Sequence, residues 1–532
     1  MTRRREGRLA AGGLPGMPRR GARSKRSNQS IMDQALGWVD DRLGVSSGRS
    51  LVDKIFPDHW SFMLGEIALY SFVVLVATGI FLSLYFDPSS ANVVYHGVYK
   101  PLRGQTMGVN YASTINISFA VRFGLVMRQT HHWAADVFVG AIAIHMCRIF
   151  FTGAFRKPRE LNWAVGVTLL ILAIVNGFIG YSLPGDLISG TGLRIMYSIM
   201  LSIPVIGTYL AFFVFGGRYP GNGVIIPRLF ILHVFVVPLI IAALIGAHLY
   251  FLVRQKHTQF PGKGRREDNV VGSPMWPNFM FKTMGFQLMV TGVLLALGAF
   301  FEINPIWKFG PYLPYKVSYA VQPDWYMGWL DGALRLMPSW EFVGFGHTIP
   351  LEITIPGVIM PGLTFALFYA WPFLEARFTG DHAMHHLLDR PRDRPLRTAV
   401  GGGALAFYFV LFAASSTDVT ANFLHLSLNL VLWSFRILLI VLPFVVGFVT
   451  YQVCLELMKV PDSGKRHRAM IVERSAEGEY HGYSAEARPG DGAEELEPEE
   501  VPTYLPVDEL VGVGAANEET EATSKGVRQA PR

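Results

Sequence analysis

Four histidines stand in two apolar stretches at nearly matched intervals. His131 and His145 are 14 residues apart within VMRQTHHWAADVFVGAIAIHMCR, and His233 and His248 are 15 apart within PRLFILHVFVVPLIIAALIGAHLYFLVR. An imidazole inside a membrane helix is costly without a partner, so two in one span point to a function. At about 100° per residue, 14 steps return to within about 40° of the starting face and 15 to within about 60°. Each pair therefore shares one face of its helix, with its members roughly 21–22 Å apart along the axis. His132, counted to His145, falls about 140° off that face and reads as an ordinary neighbour.

If the two faces oppose, His131 meets His233 and His145 meets His248, giving two stacked bis-imidazole sites across a hydrocarbon core about 30 Å thick. Imidazole suits iron, and haem is a cofactor large enough to fill the gap between such helices. Two glycine pairs repeat the interval: Gly65 with Gly79, and Gly166 with Gly180, each 14 apart. Glycine lets a flat ring approach a helix backbone, so these read as the other walls of the same two pockets. Helix-packing glycines are the other reading. Arg128 and Arg148 flank the first histidine pair. Either guanidinium can hold haem propionates by bidentate bonds, or snorkel to the interface.

The elements that must position these residues are membrane helices. The chain has 532 residues, 51% hydrophobic and only 16% charged, which is too apolar for an ordinary soluble protein of this length. Apolar runs predict an all-α polytopic membrane protein with eight transmembrane helices, over 60–85, 130–151, 162–181, 229–252, 284–301, 351–374, 399–417 and 427–456. The first four would form a di-haem four-helix bundle. Basic residues concentrate in alternate loops: Arg156, Lys157 and Arg159; then Arg254, Lys256, Lys263, Arg265 and Arg266; then Arg377, Arg390, Arg392, Arg394 and Arg397. By the positive-inside rule both termini are cytoplasmic, and His131 and His233 lie toward the outer face.

The net charge of +7 reflects this topology and a basic arm, not nucleic-acid binding. Residues 1–58 read as that arm followed by an amphipathic surface segment, 59–255 as the di-haem bundle, 256–456 as a C-terminal four-helix domain, and 457–532 as a disordered acidic tail. Met17 and Met32 leave a later start open, and no removable signal peptide is expected. The two cysteines, Cys147 and Cys454, fit no disulfide framework or cluster motif, and no CxxCH occurs.

Between the fifth and sixth spans stands VQPDWYMGWLDGALRLMP. Locally it reads as a capped surface helix anchored by Trp325, Tyr326 and Trp329. The chain as a whole, over roughly residues 50–455, resembles cytochrome b of the cytochrome bc complexes. The 15-residue second interval and RKPRELNW resemble the chloroplast-type branch. The fused C-terminal half and QPDWYMG resemble the actinobacterial cytochrome bc1 subunit.

That resemblance implies much more. The family carries Pro-Glu-Trp-Tyr at its quinol-oxidising site; here the motif is Pro323-Asp324-Trp325-Tyr326, one methylene shorter at the acid. Asp324 is then the candidate proton acceptor and Tyr326 a positioning group. Asp331, seven residues on and so two turns along the same helix face, is a second acid that the family's usual pattern lacks, and it could relay a proton outward. Gly185 stands where the family has tryptophan, and Ile203–Gly207 matches a segment where an iron–sulfur protein docks. Lys282 matches a lysine of the quinone-reducing site, but the acid that usually follows is Thr283. Met63 stands where the chloroplast branch binds a further haem through cysteine, so no third haem is expected.

The implied activity is that of a quinol–cytochrome c reductase in the cell membrane. Quinol, menaquinol by the actinobacterial likeness, is oxidised at the outer face. Electrons cross through two b haems to a cytoplasmic-side quinone site, with proton translocation. The implied partners are a Rieske iron–sulfur protein, a cytochrome c subunit, a cytochrome c oxidase in a supercomplex, membrane lipids and a second copy of the chain. Two other readings stay open from the residues: a histidine-relay proton transporter, which would bind no haem, and a di-haem anchor of another quinone-linked oxidoreductase.

Overall fold

The computed structural model describes residues 54–57, 59–220, 223–316, 322–344 and 346–459, and the backbone of 469–474 and 480–485. The basic arm and most of the acidic tail lie outside the described residues. Within that tail, Ala469–Arg474 and Tyr480–Ala485 pair as an antiparallel hairpin, where sequence composition predicts disorder.

Among the described residues, eight helices are long and apolar enough to cross a membrane: Trp60–Ser83, Gly124–Phe151, Glu160–Ser182, Ile225–Arg254, Met275–Phe300, Leu351–Thr379, Pro395–Ala414 and Leu428–Lys459. They are called the first to eighth spans. An even number returns the chain to the side where residue 60 lies, here the near side. The second span starts at Gly124, not 130, because Arg128, Gln129 and Thr130 are buried inside it and escape a hydropathy reading. The fourth span contains a π-turn, Leu232–Val236, just ahead of Pro238. Proline has no N–H to donate and its ring crowds the carbonyl four residues back, so the helix widens by one residue there. That extra residue accounts for 15 in place of 14 between His233 and His248.

The first four spans pack around Phe138, Val139, Ile142, Val167, Leu170 and Ile241, all buried. Phe138, Val139 and Ile241 stand midway in sequence between the two histidines of their own spans. The fifth span lies outside the bundle against the first and second, where Gly298 admits the backbone of Thr130. The seventh and eighth spans pair closely.

The two faces are built differently. On the near side, charged side chains knit three loops together. Arg397 is sandwiched between Glu375 and Asp389, Arg156 bridges to Asp389 at 3.2 Å, and Arg159 donates to the carbonyls of His385 (2.6 Å), Gln255 (3.2 Å) and Lys256 (3.0 Å). The far side is roofed by short helices instead: Val109–Phe119, Leu187–Ser202, Gly207–Phe215, Gly328–Leu336 and Thr417–Leu424.

Candidate functional site

The two levels of histidines come together as their spacing predicts. The rings of His131 and His233 are 6.1 Å apart between centroids and inclined at 77°. Those of His145 and His248 are 6.5 Å apart at 74°. Two metal–imidazole bonds of about 2 Å each, with half a ring on either side, span about 6 Å, so one iron fits between each pair.

The outer nitrogens of the far-side pair are held. His131 Nδ1 lies 2.9 Å from Thr78 Oγ1, which itself donates to the Val74 carbonyl at 2.7 Å and so accepts from the imidazole. His233 Nδ1 lies 3.0 Å from the Asn176 carbonyl, which can only accept. Both Nδ1 atoms therefore carry the proton, and both Nε2 lone pairs are left for a metal.

Each predicted glycine faces one of these rings. A Cβ on Gly79 would stand 3.2 Å from the His131 ring, one on Gly65 3.3 Å from His145, and one on Gly166 3.8 Å from His248; on Gly180 it would collide with His233. First-span glycines thus attend second-span histidines, and third-span glycines attend fourth-span ones. Arg128 is buried and donates to the Asn304 carbonyl at 3.1 Å, leaving its Nε and Nη2 without partners. Arg148 lies over the Phe62 ring at 4.4 Å, also with Nε and Nη2 buried and unpartnered. Buried guanidinium nitrogens with nothing to bind are expensive, and carboxylates would satisfy them. Paired imidazoles, glycine cradles and unpartnered arginines together fit two haems.

The loop motif does not behave as a simple surface cap. Asp324 is in extended conformation just before the turn Trp325–Met327, and its side chain caps nothing. It reaches into the bundle, where Oδ1 lies 3.1 Å from His132 Nε2 and Oδ2 accepts from the Tyr326 hydroxyl at 2.9 Å. Asp136 completes a cluster in which one ligand atom from each of His132, Asp136 and Asp324 lies within 4.8 Å of the others. His132 is therefore no mere neighbour. The missed signal is Asp136 four residues on, which puts two polar groups on one face of an apolar helix. The Tyr326 ring packs over Gly177, where a side chain would collide with it. Burial would raise the Asp324 carboxyl, but His132 and the hydrogen bonds outweigh it and hold the carboxyl below its ordinary value. Burial pushes the Tyr326 hydroxyl well above its ordinary value, so it stays a donor.

A single cavity joins the two constellations: His131, His233 and Arg128 line it, and so do His132, Asp324 and Tyr326. Asp331 is elsewhere. Because Asp324 lies outside the helix, the expected continuation of its face to Asp331 fails. Asp331 pairs with Arg335 at 2.8 Å, which also bridges to Asp418 at 3.0 Å. Gly185 adopts φ +72 and packs on Asn110, whose amide holds the Leu183 carbonyl at 2.8 Å. Within Ile203–Gly207, Val205 and Ile206 stand exposed between two far-side helices, with Val205 at positive φ. Lys282 is exposed on the fifth span, and Thr283 beside it bonds to Glu66 of the first.

Fold and paired pockets define a class: polytopic helical membrane proteins whose opposed imidazoles fit metal porphyrins. Comparison narrows it. A family profile described as "Cytochrome b(N-terminal)/b6/petB" matches residues 136–311. The cytochrome bc1 complex cytochrome b subunit of Mycobacterium tuberculosis is 52% identical over 446 residues, covering 83% of this chain and 81% of that protein. Its counterpart in Streptomyces coelicolor is 47% identical over 451 residues, covering 84% and 82%. A chain of a solved structure called "Hyperthermophilic respiratory Complex III" shares the fold at a TM-score of 0.57 and 22% identity, covering 78% of this chain and 100% of that one. The chain belongs to the cytochrome b subunits of cytochrome bc1 complexes.

Proposed function

We propose that this subunit oxidises quinol at the far face and passes electrons across the membrane to a quinone at the near face. The observation that carries the reading is Asp324, hydrogen-bonded to His132 and Tyr326 on the wall of a cavity that His131 and His233 also line. His131 with His233 would hold one haem b, and His145 with His248 the other, with Arg128 and Arg148 on their propionates and Gly65, Gly79, Gly166 and Gly180 clearing space. When bound, the haems supply one-electron carriers at two depths of the membrane.

The chain's own residues do the rest. A quinol hydroxyl gives its proton to Asp324, whose carboxylate is kept ionised by His132. The Tyr326 hydroxyl fixes the carboxylate's second oxygen and so its orientation. Asp331, held by Arg335, serves to pin the loop helix against the seventh–eighth loop and not to relay protons. Lys282 lies at the near-side quinone site. Taken with the basic loops, the far face is the outer one, both termini are cytoplasmic and the protein sits in the plasma membrane. The actinobacterial relatives favour menaquinol.

A Rieske protein docking at Ile203–Gly207, a cytochrome c subunit, a cytochrome c oxidase and a second copy of the chain complete the assembly we infer. The described spans divide at residue 255 into the haem bundle and the domain that presents Asp324.

The test is Asp324→Asn in the assembled complex. A general base of this kind is worth about 10²–10⁴ in rate, so quinol oxidation should fall at least tenfold while the b-type spectrum stays intact. An unchanged rate removes the proton-acceptor role. Absence of any b-type α band in the unaltered protein removes the whole reading.

A further inference from the structure

The first span carries a carboxylate that the scheme above does not use. Glu66 follows Gly65, the glycine facing His145. One step along a helix is about 100°, so Glu66 turns away from the pocket toward the fifth span. There its Oε2 accepts from Thr283 Oγ1 at 2.9 Å and from the Tyr70 hydroxyl at 3.2 Å, and the two hydroxyls also touch each other. Tyr70 is buried, and Phe286 of the fifth span packs edge-on against it at 5.9 Å.

A carboxylate within a span is costly, and hydroxyls alone could tie two helices together, so its presence calls for a role. Its position gives one. Glu66 lies six residues inside Trp60, where the span begins, or roughly 9 Å along the helix from its near-side end. It follows Gly65, which faces His145 of the near-side level, and its partner Thr283 follows Lys282 in the fifth span.

The geometry points to Glu66 as the group that delivers a proton to quinone at the near face, with Tyr70 and Thr283 holding and relaying that proton. This rests on the reading that quinone is reduced on that side. Reduction adds two electrons and two protons to a quinone. A haem held by His145 and His248 would supply the two electrons one at a time. One proton comes from the Glu66 carboxyl, whose O–H breaks as an O–H bond forms on one quinone oxygen; the other quinone oxygen takes its proton from near-side water, which also reprotonates the Glu66 carboxylate. Because Thr283 Oγ1 touches Glu66, a carboxylate at position 283 would occupy the same place.

The experiment uses the assembled complex in membranes, with Glu66→Gln, Glu66→Asp and the exchange Glu66→Gln/Thr283→Asp. Three quantities are followed: turnover with quinol, the level of b-haem reduction at steady state, and the carboxyl stretch in redox-induced infrared difference spectra. Glu66→Gln should slow turnover about tenfold or more, raise the steady-state b-haem reduction because outflow is blocked, and abolish one carboxyl band. Glu66→Asp and the exchange variant should recover most of the rate. Wild-type turnover and an unaltered infrared spectrum in Glu66→Gln would overturn the proposal. So would a haem-replete exchange variant as slow as Glu66→Gln, since the cluster would then be only a helix tie. Should Glu66→Gln fail to assemble, the exchange variant decides in the same way. If unaltered membranes show no quinol-driven b-haem reduction, the functional reading itself fails, whatever Glu66 does.

Discussion

At the scale of single residues, the pockets make graded demands. Alanine at His131 or His233 should remove one haem per chain and leave the other, and alanine at His145 or His248 should do the reverse; pyridine haemochrome assay with redox titration reads both. Gly166 stands at ordinary contact distance from its histidine, whereas Gly180 has none to spare. Gly166→Ala should therefore keep both haems, and Gly180→Ala should lose or shift the far-side one. The acid at the loop gives a pH prediction. In the role proposed for it Asp324 must be ionised to take a proton, so activity should be present above its pKa and lost as pH falls through it. That pKa is depressed by His132 against burial. His132→Gln removes the opposing charge, burial then dominates, and the acid limb of the rate profile should move to higher pH. The opposed histidines were legible in the sequence because their periodicity is a property of one helix at a time. His132, Asp136 and Glu66 were not, because their meaning comes from partners on other elements, at Asp324 and Thr283.

At the scale of elements, the π-turn makes a prediction of its own. If it absorbs the one-residue excess in the fourth span, deleting Phe235 should convert it to ordinary helix and leave His233 and His248 in register. Both haems should be retained in the absorption spectrum; loss of one would show that the widening does something else. The near-side lattice predicts the opposite sensitivity. Arg397 is nearly inaccessible between Glu375 and Asp389. Removing one member of a buried ion pair typically costs about 3–5 kcal/mol, so Arg397→Ala should lower thermal stability sharply with little effect on haem spectra. Hydropathy located all eight spans but misplaced the ends that carry buried polar residues, Gly124 to Thr130 above all. It also missed the tail hairpin, where two short strands are hidden in an acidic, glycine-rich context.

At the scale of the whole molecule, the far face of short roofing helices and the near face of knitted charged loops give the two sides different tasks. The far face presents the Asp324 loop and the exposed Val205, and the near face is tied shut by Arg156, Arg159 and Arg397. The stacking of the imidazole pairs has a further consequence. Their spacing of roughly 21 Å is about two thirds of a hydrocarbon layer about 30 Å thick. On the proposed route, each electron driven inward from one level to the other works against the resting voltage, at about 1.6 kcal/mol per 100 mV. An energised cell would thus hold charge back at the outer level, and respiration through this subunit would throttle itself as the battery it charges fills.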